Sequence, residues 1–431
     1  MKERSIRKLI VASAIGTTIE WYDLFLFATA SALVFNRIFF PTFEPLVGTL
    51  LAFGTFASAY FARIVGAMVF GHFGDRLGRK SMLMWSLGLM GVATFFIGLL
   101  PDFRSIGLAA PILLLGARLV QGFALGGEWG GAVLMAVEHA PPGKRGFYGS
   151  WVQVGVPLGT LIANIVFLIC ANAMSTEALL AWGWRIPFLL SAVLVYVGYL
   201  IRVNVDETPE FATIRIHAAQ ARLPFVDMLK FHWVEVILGA LLTMSGGVAF
   251  NLIVTFGLAY GTQTLGFSRS MMLTFAMAAC ALCTLLVPVF GRIGDAIGHR
   301  RVLAFGIVAE GLFAFPMFWL MDVKSIPFTL VGFLTMAVAF AANYAPNATY
   351  LAGLFKANVR YSGLSVTYML AGLISSAASP FVTTALLNAT GKSSSVAWYM
   401  IICSTASVTA LMLLKGPLDR DSPRRLEETA I

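Results

Sequence analysis

Gly71-His-Phe-Gly-Asp-Arg-Leu-Gly-Arg-Lys80 and, 220 residues later, Gly291-Arg-Ile-Gly-Asp-Ala-Ile-Gly-His-Arg300 are two copies of one pattern. Both keep glycines at the first, fourth and eighth places, aspartate at the fifth and a positive charge at the end. A second pair of echoes follows: Lys-Arg-Gly-Phe-Tyr-Gly-Ser over Lys144–Ser150 and Val-Arg-Tyr-Ser-Gly-Leu-Ser over Val359–Ser365. Two paired echoes at nearly one offset indicate a chain built from duplicated halves.

What surrounds the echoes is apolar. Of 431 residues, 58% are hydrophobic and 12% charged, with a mean hydropathy of +0.83. Runs long enough to cross a bilayer recur from end to end. Twelve membrane helices are predicted, over Leu9–Phe35, Val47–Phe70, Met82–Leu100, Gly107–Val137, Phe147–Ala171 and Ile186–Ile201, then Val234–Tyr260, Met271–Phe290, Val302–Met321, Pro327–Ala352, Gly363–Leu387 and Val396–Leu414. The expected fold is an all-α membrane protein of two pseudo-symmetric six-helix halves, residues 1–201 and 234–414. A cytoplasmic linker, 202–233, joins them, and a solvated tail, 415–431, follows. In the linker, Thr208 is expected to cap a short helix that has Pro209 at its first position.

The formal charge of +9 is a matter of topology. Of 30 Lys and Arg, 22 lie at the termini and in even-numbered loops, and the odd-numbered loops hold six. That asymmetry places both termini in the cytoplasm. Nucleic acid needs a basic surface on a folded domain, and no loop here is long enough to form one. The charged start, Met1–Ile10, precedes an apolar run broken by Glu20 and Asp23, and reads as an uncleaved first helix. Cys280 and Cys283 form a CxxC with no further ligand in reach; Cys170 and Cys403 also lie in apolar helices. All four read as buried small residues. The histidines (His72, His139, His217, His232, His299) fall in or beside cytoplasmic loops, so neither a metal site nor a catalytic centre is expected.

The loop Gly71–Lys80 resembles the signature loop of the major facilitator superfamily, and Arg118-Leu-Val-Gln-Gly122 resembles its helix-4 motif. More narrowly, Glu20-Trp-Tyr-Asp23, Gly126-Gly-Glu-Trp-Gly-Gly131, Trp182–Phe188 and Glu207-Thr-Pro-Glu-Phe211 are similar to the metabolite:proton symporter family. The resemblance implies a carrier of shikimate, citrate, 2-oxoglutarate, proline or betaine in a bacterial inner membrane. It implies no enzyme activity, and no cofactor beyond the coupling proton. The expected partners are a small organic solute, protons and the lipid bilayer, with no nucleic acid, and the expected state is a monomer.

Two cations, Arg63 and Arg118, lie inside helices. A charge at the centre of a membrane helix costs about 2.5–3.5 kcal/mol on insertion scales, and more often serves transport than packing. At about 1.5 Å per residue, Glu20, Asp23 and Arg118 reach the bilayer middle, while Arg63 and Glu128 fall nearer the cytoplasm as a possible inner pair. Glu20, Asp23 and Glu128 are the candidates for carrying the proton, and Arg118 for the partner shared by solute anion and carboxylate. Permanent pairing that merely docks helices is the plainer alternative. Candidates for solute contact are Arg118, Arg63, Tyr22, Gln121, Trp129, Gln153, Asn251, Asn343, Tyr344 and Asn347, with Tyr368 and Tyr148 beside them. The second half is expected to hold no clear intramembrane charge. Gly122, Gly126 and Gly130 make a stripe for close helix packing, which a rocking motion can also use.

Asp75 can accept hydrogen bonds from orphan amides at a neighbouring helix start; by the resemblance that start lies near Tyr361–Gly363. Arg76, Arg79, Lys80 and Asp295 complete the expected cytoplasmic gate, with His299 replacing Arg79 in the second copy and weakening the case for a symmetric latch. The reading is proton-coupled import of a small organic acid by alternating access. Alternatives are symport of a zwitterionic osmolyte, and a proton/drug antiporter, for which Gly155-Val-Pro-Leu-Gly159 is only a partial motif.

Overall fold

The computed structural model describes residues 3–42, 45–203 and 224–414. The Thr208 cap and the tail lie outside these residues. The described residues are almost entirely helical, in twelve long segments. The first half comprises α1 (Glu3–Ala30), α2 (Pro45–Leu77), α3 (Arg79–Leu99), α4 (Ala109–Glu138), α5 (Arg145–Ala173) and α6 (Arg185–Val203). The second comprises α7 (Trp233–Gln263), α8 (Arg269–Ile297), α9 (His299–Asp322), α10 (Ile326–Leu354), α11 (Arg360–Thr390) and α12 (Ser393–Leu413). A short helix, Pro224–Phe231, precedes α7. Large apolar side chains such as Phe61, Trp85, Leu312 and Trp319 are exposed on the outside, as a lipid-facing surface requires.

The duplication is visible in backbone detail. Gly78 and Gly298 stand at the α2–α3 and α8–α9 junctions with φ of 116° and 99°, a region closed to most side chains. α1 continues into a π turn at Ser31–Phe35, and its counterpart α7 contains one at Leu252–Phe256. The halves meet along α2 with α11 and along α5 with α8. In both seams a glycine admits a serine: a β-carbon on Gly71 would strike Ser362, and one on Gly291 would strike Ser150.

Within the first half, α4 lies flush on α2 because Gly122 and Gly126 carry no β-carbon. One at Gly122 would meet the Ala59 carbonyl, and one at Gly126 the Arg63 carbonyl. This close packing fixes where the two buried arginines sit.

Candidate functional site

Asp23 is fully buried and accepts hydrogen bonds from Thr94 on α3 (2.9 Å) and Ser191 on α6 (2.5 Å). Thr94 in turn accepts from Gln121 Nε2 at 2.7 Å, and Gln121 Oε1 accepts from Arg118. The Arg118 guanidinium stacks 4.3 Å from the centre of the Phe27 ring, within electrostatic reach of Asp23. Of the expected midplane group, Asp23 and Arg118 are thus joined through neutral polar side chains, and Glu20 is not part of this chain of contacts. Glu20 lies within electrostatic reach of Tyr344 and Tyr368 of the second half.

Arg63 differs in its surroundings. It is 3% exposed, and its guanidinium carbon lies 5.0 Å from the Tyr60 ring centre and 5.7 Å from that of Trp21. Its Nε and Nη2 have no hydrogen-bond partner among the described residues, and neither does the Trp21 indole nitrogen. The expected inner pair with Glu128 does not form; Glu128 accepts from Ser86 on α3 at 2.8 Å. Depth along an axis had suggested the pair. Rotation about it decides otherwise: Glu128 lies two residues past Gly126, the position packed against α2, and two residues turn about 200° around a helix.

Across the halves runs a closed chain of contacts. Trp129 Nε1 donates to Gln153 Oε1 at 2.8 Å, and Gln153 Nε2 donates to the Tyr344 carbonyl at 2.9 Å. The Tyr344 and Tyr368 hydroxyls share a 2.7 Å hydrogen bond, and Tyr368 stacks on Trp129 with ring centres 3.5 Å apart. Both Asn251 side-chain polar atoms are buried without partners among the described residues. Tyr22 is not in this cluster: its hydroxyl donates to the Pro187 carbonyl at 3.0 Å, fastening α1 to α6. Asn347 accepts from Thr243 at 3.3 Å, between α10 and α7. Tyr148, at the first turn of α5, is half-buried.

The second half does contain an intramembrane acid. Glu310 of α9 is completely buried, and both its oxygens accept from Asn343, at 2.9 and 3.1 Å. A single acid in a long apolar run barely changes average hydropathy, so a search by runs reads past it.

At one end, the duplicated loops lock the halves together. Asp75 accepts from the Tyr361 amide (3.1 Å), the Ser362 amide (3.0 Å) and the Ser362 hydroxyl (2.8 Å), at the start of α11. Asp295 does the same for α5, accepting from the Gly146 and Phe147 amides at 2.6 and 2.8 Å. The latch is two-fold despite His299, whose Nε2 lies 3.3 Å from Asp295. Arg79 is buried against Glu138, which also pairs with Arg360 at 2.9 Å. Glu138 is a member of this cluster that the sequence reading missed; its place just before the loop that starts α5, facing Arg360 of the echoing loop, was the available signal. Lys80 donates to the Val203 carbonyl at 2.8 Å, and Arg76 is exposed. No group of three or more metal-ligating side chains occurs among the described residues, and all four cysteines are buried and free.

Comparison with known proteins agrees with this architecture. The sequence profile of the Major Facilitator Superfamily matches residues 25–365 and 281–430. The chain is 39% identical over 413 residues to the shikimate transporter of Escherichia coli, covering 94% of each. It is 38% identical over 418 residues to the inner membrane metabolite transport protein YhjE of the same organism, covering 95% of this chain and 94% of that protein. Among solved structures, the proton:xylose symporter XylE superposes with a TM-score of 0.79 at 15% identity, over 96% of this chain and 97% of that one, a likeness of fold. The chain belongs to the Major Facilitator Superfamily, among its metabolite transporters.

Proposed function

We propose that the protein is a proton-coupled importer of a small organic anion in a bacterial inner membrane, with both termini and the latched end in the cytoplasm. The observation that carries this reading is Arg63, a buried cation set between Trp21 and Tyr60, whose Nε and Nη2 have no hydrogen-bond partner among the described residues. Leaving a charged donor unmade at such burial costs free energy that an arriving carboxylate recovers. Tyr368, from the opposite half, lies within electrostatic reach of Arg63, so both halves can engage one bound anion.

Proton coupling is assigned to Asp23 and Glu20. The buried Asp23 carboxylate is stabilised both by its hydrogen-bond donors and by the nearby Arg118. A shift of Arg118 through Gln121 and Thr94 would change how well its carboxylate is stabilised. Glu20 lies within electrostatic reach of the tyrosines that tie the halves together, and Glu128, held by Ser86, is the third candidate. No other cofactor is required, and a monomer suffices. With the latched end closed, solute and proton enter from the opposite side, and release follows opening of the latch. A monoanion with one proton carries no net charge and is driven by the pH gradient alone; each further proton adds the membrane potential, about 2.3 kcal/mol per charge per 100 mV.

Similarity to relatives favours an organic acid as the solute. The shikimate transporter is 39% identical, whereas proline/betaine transporters are 28–29% identical. A zwitterionic solute is the second reading, favoured by the Trp129–Tyr368 stack, because aromatic faces attract quaternary ammonium groups. The test is uptake of labelled shikimate into proteoliposomes under an inside-alkaline pH jump, with unlabelled citrate, 2-oxoglutarate, proline and betaine as competitors. Gradient-driven accumulation that Asp23→Asn or Glu20→Gln uncouples supports the proposal. Folded protein that accumulates none of these solutes would overturn it in favour of efflux.

A further inference from the structure

Glu310 lies 11 residues from one end of α9 and 12 from the other, so at about 1.5 Å per residue it stands near the middle of a roughly 30 Å bilayer core. Its neighbours are neutral. From α7 come Ser245 and Gly246, and from α10 Asn343; α12 brings Ser404 against the adjacent Gly311. The charged groups on those helices and on α8, namely Glu235, Arg269, Arg292 and Asp295, lie near helix ends, and Tyr344 faces Tyr368. No Lys, Arg or His pairs with Glu310 among the described residues.

A glutamine would fill the same space and meet the same partners without the penalty of a buried charge. What a carboxyl adds here is the ability to take and release a proton. The hydrogen-bond geometry agrees. Asn343 Nδ2 lies 2.9 and 3.1 Å from the two Glu310 oxygens and 3.1 Å from Ser245 Oγ, three contacts for two hydrogens, while its Oδ1 has no partner. Turning that amide end for end gives an acid O–H and the serine O–H an acceptor, an assignment that heavy-atom positions leave free.

We propose that Glu310 is a proton-binding site of the second half, separate from the acids of α1 and α4. It carries its proton in the latched state and exchanges it when α10 moves. The link to movement is α10 itself. Asn343 holds Glu310, and the next residue, Tyr344, accepts through its carbonyl from Gln153 of the first half. Rocking that separates Tyr344 from Gln153 shifts Asn343 against Glu310 and changes the stability of the acid.

The proposal deepens the proton-coupled reading, but its first test needs no solute. Infrared difference spectra would be recorded on the full-length protein in phosphatidylethanolamine–phosphatidylglycerol liposomes, titrated in water and deuterium oxide. The expected result is a protonated-carboxyl carbonyl band that shifts in deuterium oxide, is lost in Glu310→Gln and survives in Glu20→Gln and Asp23→Asn. Unchanged bands in Glu310→Gln would overturn it. Should that variant not fold, Ser245→Ala keeps the acid and removes one neighbour; the band must then move, and a fixed band overturns the assignment. With labelled shikimate as probe, Glu310→Gln should also lower the proton-to-solute ratio by one. If shikimate is not carried, the functional reading fails while the spectra still decide this site.

Discussion

Arg63 and Arg118 both carry positive charge inside the membrane, yet they answer different questions. Arg118 is engaged through Gln121 and lies over Phe27, close to an acid. Arg63 has two aromatic faces, and its Nε and Nη2 have no hydrogen-bond partner among the described residues. If those donors await an anion, Arg63 lowers stability when the site is empty. Replacing even a buried ion pair by apolar residues of similar volume is often neutral or stabilising by about 1–4 kcal/mol, and a buried cation without an ion partner has no pairing to lose. Arg63→Met should therefore raise the melting temperature in detergent while cutting shikimate uptake by about 100-fold, the scale of losing a buried charged contact worth about 2–5 kcal/mol. Arg63→Lys keeps the charge without the planar fork, and should retain partial uptake. A melting temperature that falls in Arg63→Met would mark the arginine as structural and remove its assignment to solute.

Among the helices, the α2–α4 contact is set by missing side chains. A β-carbon at Gly126 would overlap the Arg63 carbonyl, whereas one at Gly88 or Gly116 has open space around it. Gly126→Ala should thus cost about 1–3 kcal/mol by overpacking and displace Arg63. Gly88→Ala should leave stability unchanged or slightly higher, since alanine favours helix by about 1 kcal/mol. Thermal melts of the two variants with their uptake rates separate the effects; equal melts would show that the stripe is not a close-packing surface. This also shows what one sequence can convey. The stripe and the Asp75 loop are legible because spacing and repetition survive in the chain. The imagined Arg63–Glu128 pair failed because depth is a one-dimensional coordinate, and rotation places Glu128 against Ser86. Glu138 escaped notice because its partner, Arg360, comes from a helix remote in sequence, and Glu310 because a single acid barely alters the hydropathy of a long apolar run.

For the molecule as a whole, the two aspartate latches are one device repeated. Asp75 clamps α2 to α11 and Asp295 clamps α8 to α5, so each bridges the same two bodies from opposite sides. Hydrogen bonds to a charged group are worth about 1.5–3 kcal/mol each in buried settings. Because the ends also exchange contacts with water when open, a net bias of about 3 kcal/mol per latch, or about 100-fold in population, is a reasonable scale. Asp75 has three donors and Asp295 two. Asp75→Ala should therefore open this end more than Asp295→Ala, and the double variant more than either. Ser365, fully buried against Gly130, reports the state: as Ser365→Cys it should react slowly with a membrane-impermeant maleimide applied from the latched side. The four native cysteines are buried and add little background. Faster labelling in the order Asp295→Ala, Asp75→Ala, double variant is the expected result, with solute-driven counterflow retained while gradient-driven accumulation falls. Labelling that stays slow in the double variant would mean that the Arg79–Glu138–Arg360 cluster alone holds the halves shut.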